Sequence, residues 1–125
     1  MEFPESEIAE IKKFVDSLNS QTNCAVVVEG KRDAAALVKL GYSGKILEFH
    51  RFNGMVKFAD SSAKYSRLIL LLDGDRKGRY LTKKIIELLE HRTKIDLLFK
   101  KKLVSITKGK IRFIEQLVCY GDYFV

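Results

Sequence analysis

Two stretches constrain the fold of this chain more than anything else in it: VVVEGKRD, residues 26–33, and LILLLDGDRKGRYLTKKIIELLEH, residues 68–91. Each starts as an unbroken apolar run, reaches acidic residues where the run stops, and passes through glycine into a basic, helix-forming segment. An apolar run without polar alternation reads as a strand buried on both faces, the pattern of a parallel sheet covered by helices. Two such strand-to-helix units predict an α/β fold. In open parallel sheets ligands collect beyond the carboxyl ends of the strands. Glu29, Asp73 and Asp75 are therefore expected to meet at one edge.

The rest of the chain reads as support for that edge. Pro4 suits the first turn of a helix, Glu5 and Glu7 suit its positive end, and Ile8, Ile11, Val15 and Leu18 share a face at helical spacing. Strands are expected over 24–28, 45–49 and 68–72, with a short fourth near 94–96. Helices are expected over 33–40, with Asp33 as cap and Gly41 as left-handed terminator, and, on a weaker pattern, over 55–62. The clearest helix is 78–91, with Leu81, Ile85, Leu88 and Leu89 on its inner side. A last helix spans 97–107, and Asp96 either ends the fourth strand or caps this helix. Residues 111–125 stay open between a helix and an aromatic tail of Tyr120, Tyr123, Phe124 and Val125, which either closes the core or makes a dimer contact.

At 125 residues one domain is expected, made of an amino-terminal helix (4–20), a motif-bearing core (24–92) and a basic carboxyl-terminal extension (94–125). No apolar run approaches the roughly 18–20 residues that cross a bilayer, and the acidic start lacks the basic flank of a signal peptide. A cytoplasmic protein with no membrane partner is the expectation. Cys24 and Cys119 then read as reduced core thiols. Charge is uneven: residues 1–30 hold six acidic and two basic residues, whereas 31–125 hold 21 basic and 10 acidic. A basic body with a pI near 9.4 points first to nucleic acid as partner, although lysine-rich surfaces also serve solubility. The cations of 100–112 read equally as a backbone-tracking patch or as a solvated face.

Three carboxylates at one edge suit a hard divalent cation, and magnesium takes few carboxylates while leaving positions for water and phosphate. Asp73 and Asp75 are two apart and point to one side if the chain is still extended there, and Gly74 between them admits a close approach by ligand or backbone. Arg76, Lys77 and Arg79 follow at once, beside a helix start near Gly78 that attracts anions. Other readings are weaker. A hairpin turn at Asp73-Gly74 conflicts with the helical pattern that follows, and a calcium loop fails at Lys77 and at Lys84, where a bidentate Glu is needed. A haloacid-dehalogenase-like phosphatase would leave Glu29 unexplained. Acids serving only as surface residues remain the plain alternative. His50 and Arg51 leave the second strand at the same edge, where they contact phosphate, assist proton transfer or are simply solvated; Glu48 before them needs a cationic partner. No Walker-type loop, dinucleotide-binding glycine pattern or Ser/His/Asp arrangement is present.

VVVEGKRDAAAL followed by LILLLDGDRKGRYL resembles the Toprim domain shared by topoisomerases, bacterial-type primases, ribosomal-RNA-maturing ribonucleases and some repair proteins. That domain carries a Glu after its first strand and an Asp-x-Asp after a later one. Gly30, Asp33, Gly78 and Arg79 look most like the primase and ribonuclease branches, in a small stand-alone form. The resemblance implies a Toprim-like, Rossmann-like, mainly parallel four-stranded sheet with helices on both faces. It implies Mg2+, with Mn2+ as possible substitute, held by Asp73 and Asp75, and Glu29 as general acid or base or as a third ligand. Topoisomerases of the family place an acid where this chain has Arg79, and the chain is expected to be too short for strand passage. The expectation is phosphodiester cleavage on RNA or DNA, with Lys31, Arg51, Arg76, Lys77 and Arg79 on phosphates. The alternative is a metal-dependent nucleic-acid-binding or adaptor subunit that needs a protein partner in a processing complex.

Overall fold

The computed structural model of the protein describes residues 3–124. Its strands are β1 (Cys24–Val28), β2 (Ile46–Glu48), β3 (Arg67–Leu70) and β4 (Lys94–Asp96). Its helices are α1 (Glu5–Asn19), α2 (Lys31–Lys39), α3 (Met55–Ser62), α4 (Arg76–Leu89) and α5 (Leu98–Thr107), with 3₁₀ segments at Phe49–Arg51 and Ile114–Tyr123. The strands form one four-stranded sheet in the order β2-β1-β3-β4, parallel at every pairing. The expected α/β architecture is thus present, and its sheet is wholly parallel among the described residues.

Side chains alternate across a strand, so one apolar run feeds two cores. Val26, Val28, Ile69 and Leu71 face α1, α2, α5 and the 3₁₀ segment Ile114–Tyr123. Ala25, Val27, Leu68, Leu70 and Leu72 face α3 and α4, where Phe58, Leu81, Ile85 and Leu89 meet them. Helices therefore cover both faces. Among the described residues no helix is long and apolar enough to cross a membrane.

The departures are local and have physical causes. Asp33 is not the cap of α2: Gly30 holds that position, and Asp33 reaches back from the first turn to accept the Gly30 N–H at 3.1 Å. Gly41 does terminate the helix, with φ +103°. Helix α4 starts two residues before Gly78 because the Asp75 carboxylate accepts the Gly78 N–H at 2.7 Å, so that amide is not free for an anion. Leu88, expected inside, is 44% exposed. Of the two readings of Asp96, the strand end holds: it ends β4, while Leu97 takes the cap position of α5 and the Asp96 carboxylate, one residue outside, accepts the Leu98 N–H at 2.8 Å and pairs with Arg67 at 3.4 Å. Cys24 is half-buried against the core, but Cys119 is exposed and not a core thiol. In the tail, Tyr120 closes the core, stacked on Phe3 with ring centroids 4.1 Å apart, while Val125 lies outside the described residues.

Candidate functional site

Strands β1 and β3 are neighbours, yet the helices that follow them leave to opposite faces, α2 to one core and α4 to the other. That divergence opens a crevice at the carboxyl edge, the place where open α/β sheets bind ligands. Glu29 follows β1 directly. Beyond β3 the ladder continues one residue, with the Leu71 N–H on the Val27 carbonyl at 2.9 Å, so Asp73 emerges beside Glu29.

Each of the three carboxylates has one oxygen engaged. Asp73 accepts the Ile114 N–H at 2.7 Å, Asp75 accepts the Gly78 N–H, and Glu29 pairs with the Lys77 ammonium at 2.9 Å. Burial, then the charges of Glu29 and Asp75, push the Asp73 carboxyl upward against the bond from Ile114. Asp73 is thus disfavoured as an anion by burial first and by its two acidic neighbours after it. Lys77 is raised mainly by its bond to Glu29.

Two further residues belong to this cluster. Asp33 is buried and accepts the Glu115 N–H at 3.1 Å; burial and the nearby Asp73 push its carboxyl up to about 6. Lys100, half-buried on α5, is pulled down by burial although Asp73, Asp33 and Asp75 all favour its charge. The spacing of Glu29 and Asp33, four apart across a helix start, was a usable signal for the first. Nothing local marks Lys100, because the docking of α5 brings it there.

The expected phosphate-binding cations are spread around the edge. Lys31 and Arg76 are exposed and carry no ion pair among the described residues, whereas Lys77 is held by Glu29. Arg79 lines a cleft beside Asp73. Arg51 makes the ion pair expected of Glu48, at 3.4 Å, while its side chain stays exposed and the buried Glu48 Oε1 accepts no hydrogen bond among the described residues. His50 anchors the edge through its own N–H, 3.0 Å from the Glu29 carbonyl. The cations of 100–112 do not form one patch: Lys110 pairs with Glu7 at 2.9 Å, Lys102 lies over Phe99, and Lys100 faces the acids.

Among the described residues no three His, Cys, Asp or Glu side chains already stand as a cation cage. The donor chemistry nevertheless fits a hard divalent ion. The second oxygen of Asp73, of Asp75 and of Glu29 has no hydrogen-bond partner among the described residues, and a cation would relieve the repulsion that raises Asp73. Magnesium needs only one or two carboxylates and completes its shell with water and phosphate.

The model of the Toprim domain matches residues 24–115, which takes in both strand-to-helix units and the whole sheet. The chain belongs to the Toprim family. It is 35% identical over 114 residues to a UPF0292 protein of Thermococcus sibiricus, covering 90% of this chain and 87% of that one. A UPF0292 protein of Methanocaldococcus jannaschii is 37% identical over 98 residues, 76% of each chain. A solved structure from Aquifex aeolicus superposes with a TM-score of 0.62 at 25% identity, over 93% of this chain and 99% of that one.

Proposed function

We propose that this Toprim protein performs magnesium-dependent phosphoryl transfer on nucleic acid, as phosphodiester cleavage in RNA or DNA processing. Membership of the family implies metal-dependent work on nucleic acid. The observation that carries the finer reading is the placement of Glu29 and Asp73 on adjacent strand ends at the crevice, with Arg76, Lys77 and Arg79 directly behind them. Asp73 and Asp75 would hold the ion, with Glu29 as a third ligand or as the group that moves a proton. Bound there, magnesium or manganese supplies Lewis-acid stabilisation of charge developing on the phosphate. Lys31, Arg76 and Arg79 hold the backbone, Arg51 contributes once released from Glu48, and Lys77 serves as the cation that holds the Glu29 side chain in place. A cytoplasmic setting suits the two unpaired cysteines.

Asp73→Asn tests this directly. The amide keeps an oxygen for the Ile114 N–H, so the fold is retained, while a charge is lost at the metal. Cleavage of end-labelled RNA or DNA with magnesium should fall by about 100-fold or more, as expected when a main charge-stabilising group is removed. Undiminished cleavage would remove the metal site from the mechanism. The Glu29–Lys77 ion pair favours a second reading, an adaptor whose site is completed inside a larger complex. Binding without cleavage, in magnesium and in manganese alike, would establish that reading instead.

A further inference from the structure

We propose that the cleft beside Asp73 is a nucleotide subsite that takes one unstacked base of a single-stranded nucleic acid. This deepens the reading above and rests on it, because it names the substrate class for the same edge. The cleft has a volume of about 260 Å³ and lies between the end of β3, α4 and α5. Leu72 and Leu97 give it an apolar floor, Arg79, Lys100 and Lys101 stand around it, and Asp73 is the one acid that lines it.

That combination selects its occupant by charge and shape. Three cations around a small apolar floor suit a ligand with a flat apolar body and an anionic end, which is the chemistry of a nucleoside phosphate. With the base on the Leu72–Leu97 floor and its phosphate on Arg79 and Lys101, the adjoining phosphodiester lies toward Asp73. A groove that only tracked a backbone would need the cations and not the floor. A base inside a duplex cannot enter such a cleft without leaving its stack, so single strands, frayed ends and loops are favoured over blunt duplex.

The test is fluorescence anisotropy, with magnesium and with chelator, using labelled single strands of RNA and of DNA, their blunt duplexes, and the same single strands carrying abasic residues. Single strands should bind about tenfold or more tighter than duplex. Abasic residues should weaken binding by about 5- to 150-fold, the value of one base–protein contact at roughly 1–3 kcal/mol. Thr82, half-buried on α4, lines the same cleft, and Thr82→Phe places a ring in the space of the base. That variant should lose the single-strand advantage while binding duplex as the parent does. The abasic strands make the same test on unaltered protein, should the variant fold poorly. Equal affinity for abasic and intact strands, or for single strand and duplex, would overturn the proposal. Cleavage of the same strands is scored separately: cleavage with base-independent binding sinks the subsite alone, whereas base-dependent binding without cleavage supports the subsite and sinks the hydrolytic reading. The RNA and DNA arms show which polymer supplies the nucleotide.

Discussion

At the scale of single residues, the site is built by backbone groups that hold acidic side chains in place. Gly78 shows how tightly. A Cβ there would stand 2.0 Å from the Asp73 carbonyl oxygen, a backbone atom that cannot step aside without moving the Asp73–Asp75 turn. Gly78→Ala should therefore destabilise by about 3 kcal/mol or more, beyond the usual range for overpacking, and urea denaturation read by circular dichroism measures it. A purely apolar signal marked the strands around this turn, but the reason for glycine at 78 is visible only once Asp73 packs on it. Asp33 carries a second expectation. Its folded carboxyl titrates near 6, against an ordinary value of 3.8, so the fold favours the protonated form. The unfolded chain gives up that proton first, and stability falls as pH rises from about 3.8 to 6, then stays level. With solvent screening at the sheet edge discounted, the loss is on the order of 1–2 kcal/mol. Thermal melts with chelator should show the advantage of wild type over Asp33→Asn shrinking across that window, and a constant difference would refute it.

At the scale of elements, the carboxyl-terminal 3₁₀ segment is the piece that binds the fold to the site. Its entry runs over the acidic edge, where the Arg112 carbonyl accepts the Gly74 N–H at 2.9 Å and the amides of Ile114 and Glu115 meet Asp73 and Asp33. The segment is anchored at its far end by the buried Glu7 of α1, which accepts from the Tyr120 hydroxyl at 2.7 Å and pairs with Lys110. Burial alone would raise the Glu7 carboxyl, but the bonds from Lys110 and Tyr120 outweigh it and the net shift is downward. Its contribution to stability is thus present above the ordinary value of 4.5 and is lost as pH falls through the lowered one. Glu7→Gln should cost about 1–3 kcal/mol at neutral pH, the worth of hydrogen bonds to a charged group, with the gap to wild type closing in acid. Chemical denaturation at neutral and acidic pH would show it; a gap independent of pH would mean that the charge on Glu7 does not matter. Helical spacing placed Glu7 on α1 as a favourable acid at a positive helix end, and its burial depends on a tail more than a hundred residues away.

At the scale of the whole molecule, topology turns two separate sequence motifs into one site. The order β2-β1-β3-β4 puts the strands bearing Glu29 and Asp73 side by side, and the opposite departures of α2 and α4 keep the crevice between them open. The acidic amino-terminal region also meets part of the basic remainder across the fold. Glu7 is spent inside the fold on Lys110, and Arg79 and Lys101 are left around the cleft.

The strands, the principal helices and the positions of Glu29, Asp73 and Asp75 at strand ends were legible in the chain itself. Local physics suffices there: uninterrupted apolar runs bury on both faces, and glycine and acidic residues mark where they stop. Only the tertiary structure decided that Lys100 joins those acids, that Arg51 and Lys77 are drawn into ion pairs, and that the basic extension divides among unrelated tasks. Those outcomes depend on contacts between residues distant in the chain: helical spacing marks the buried sides of α5 (Phe99, Leu103, Thr107) and of Ile114–Tyr123 (Ile114, Leu117, Tyr120), but not the place on the sheet where each docks.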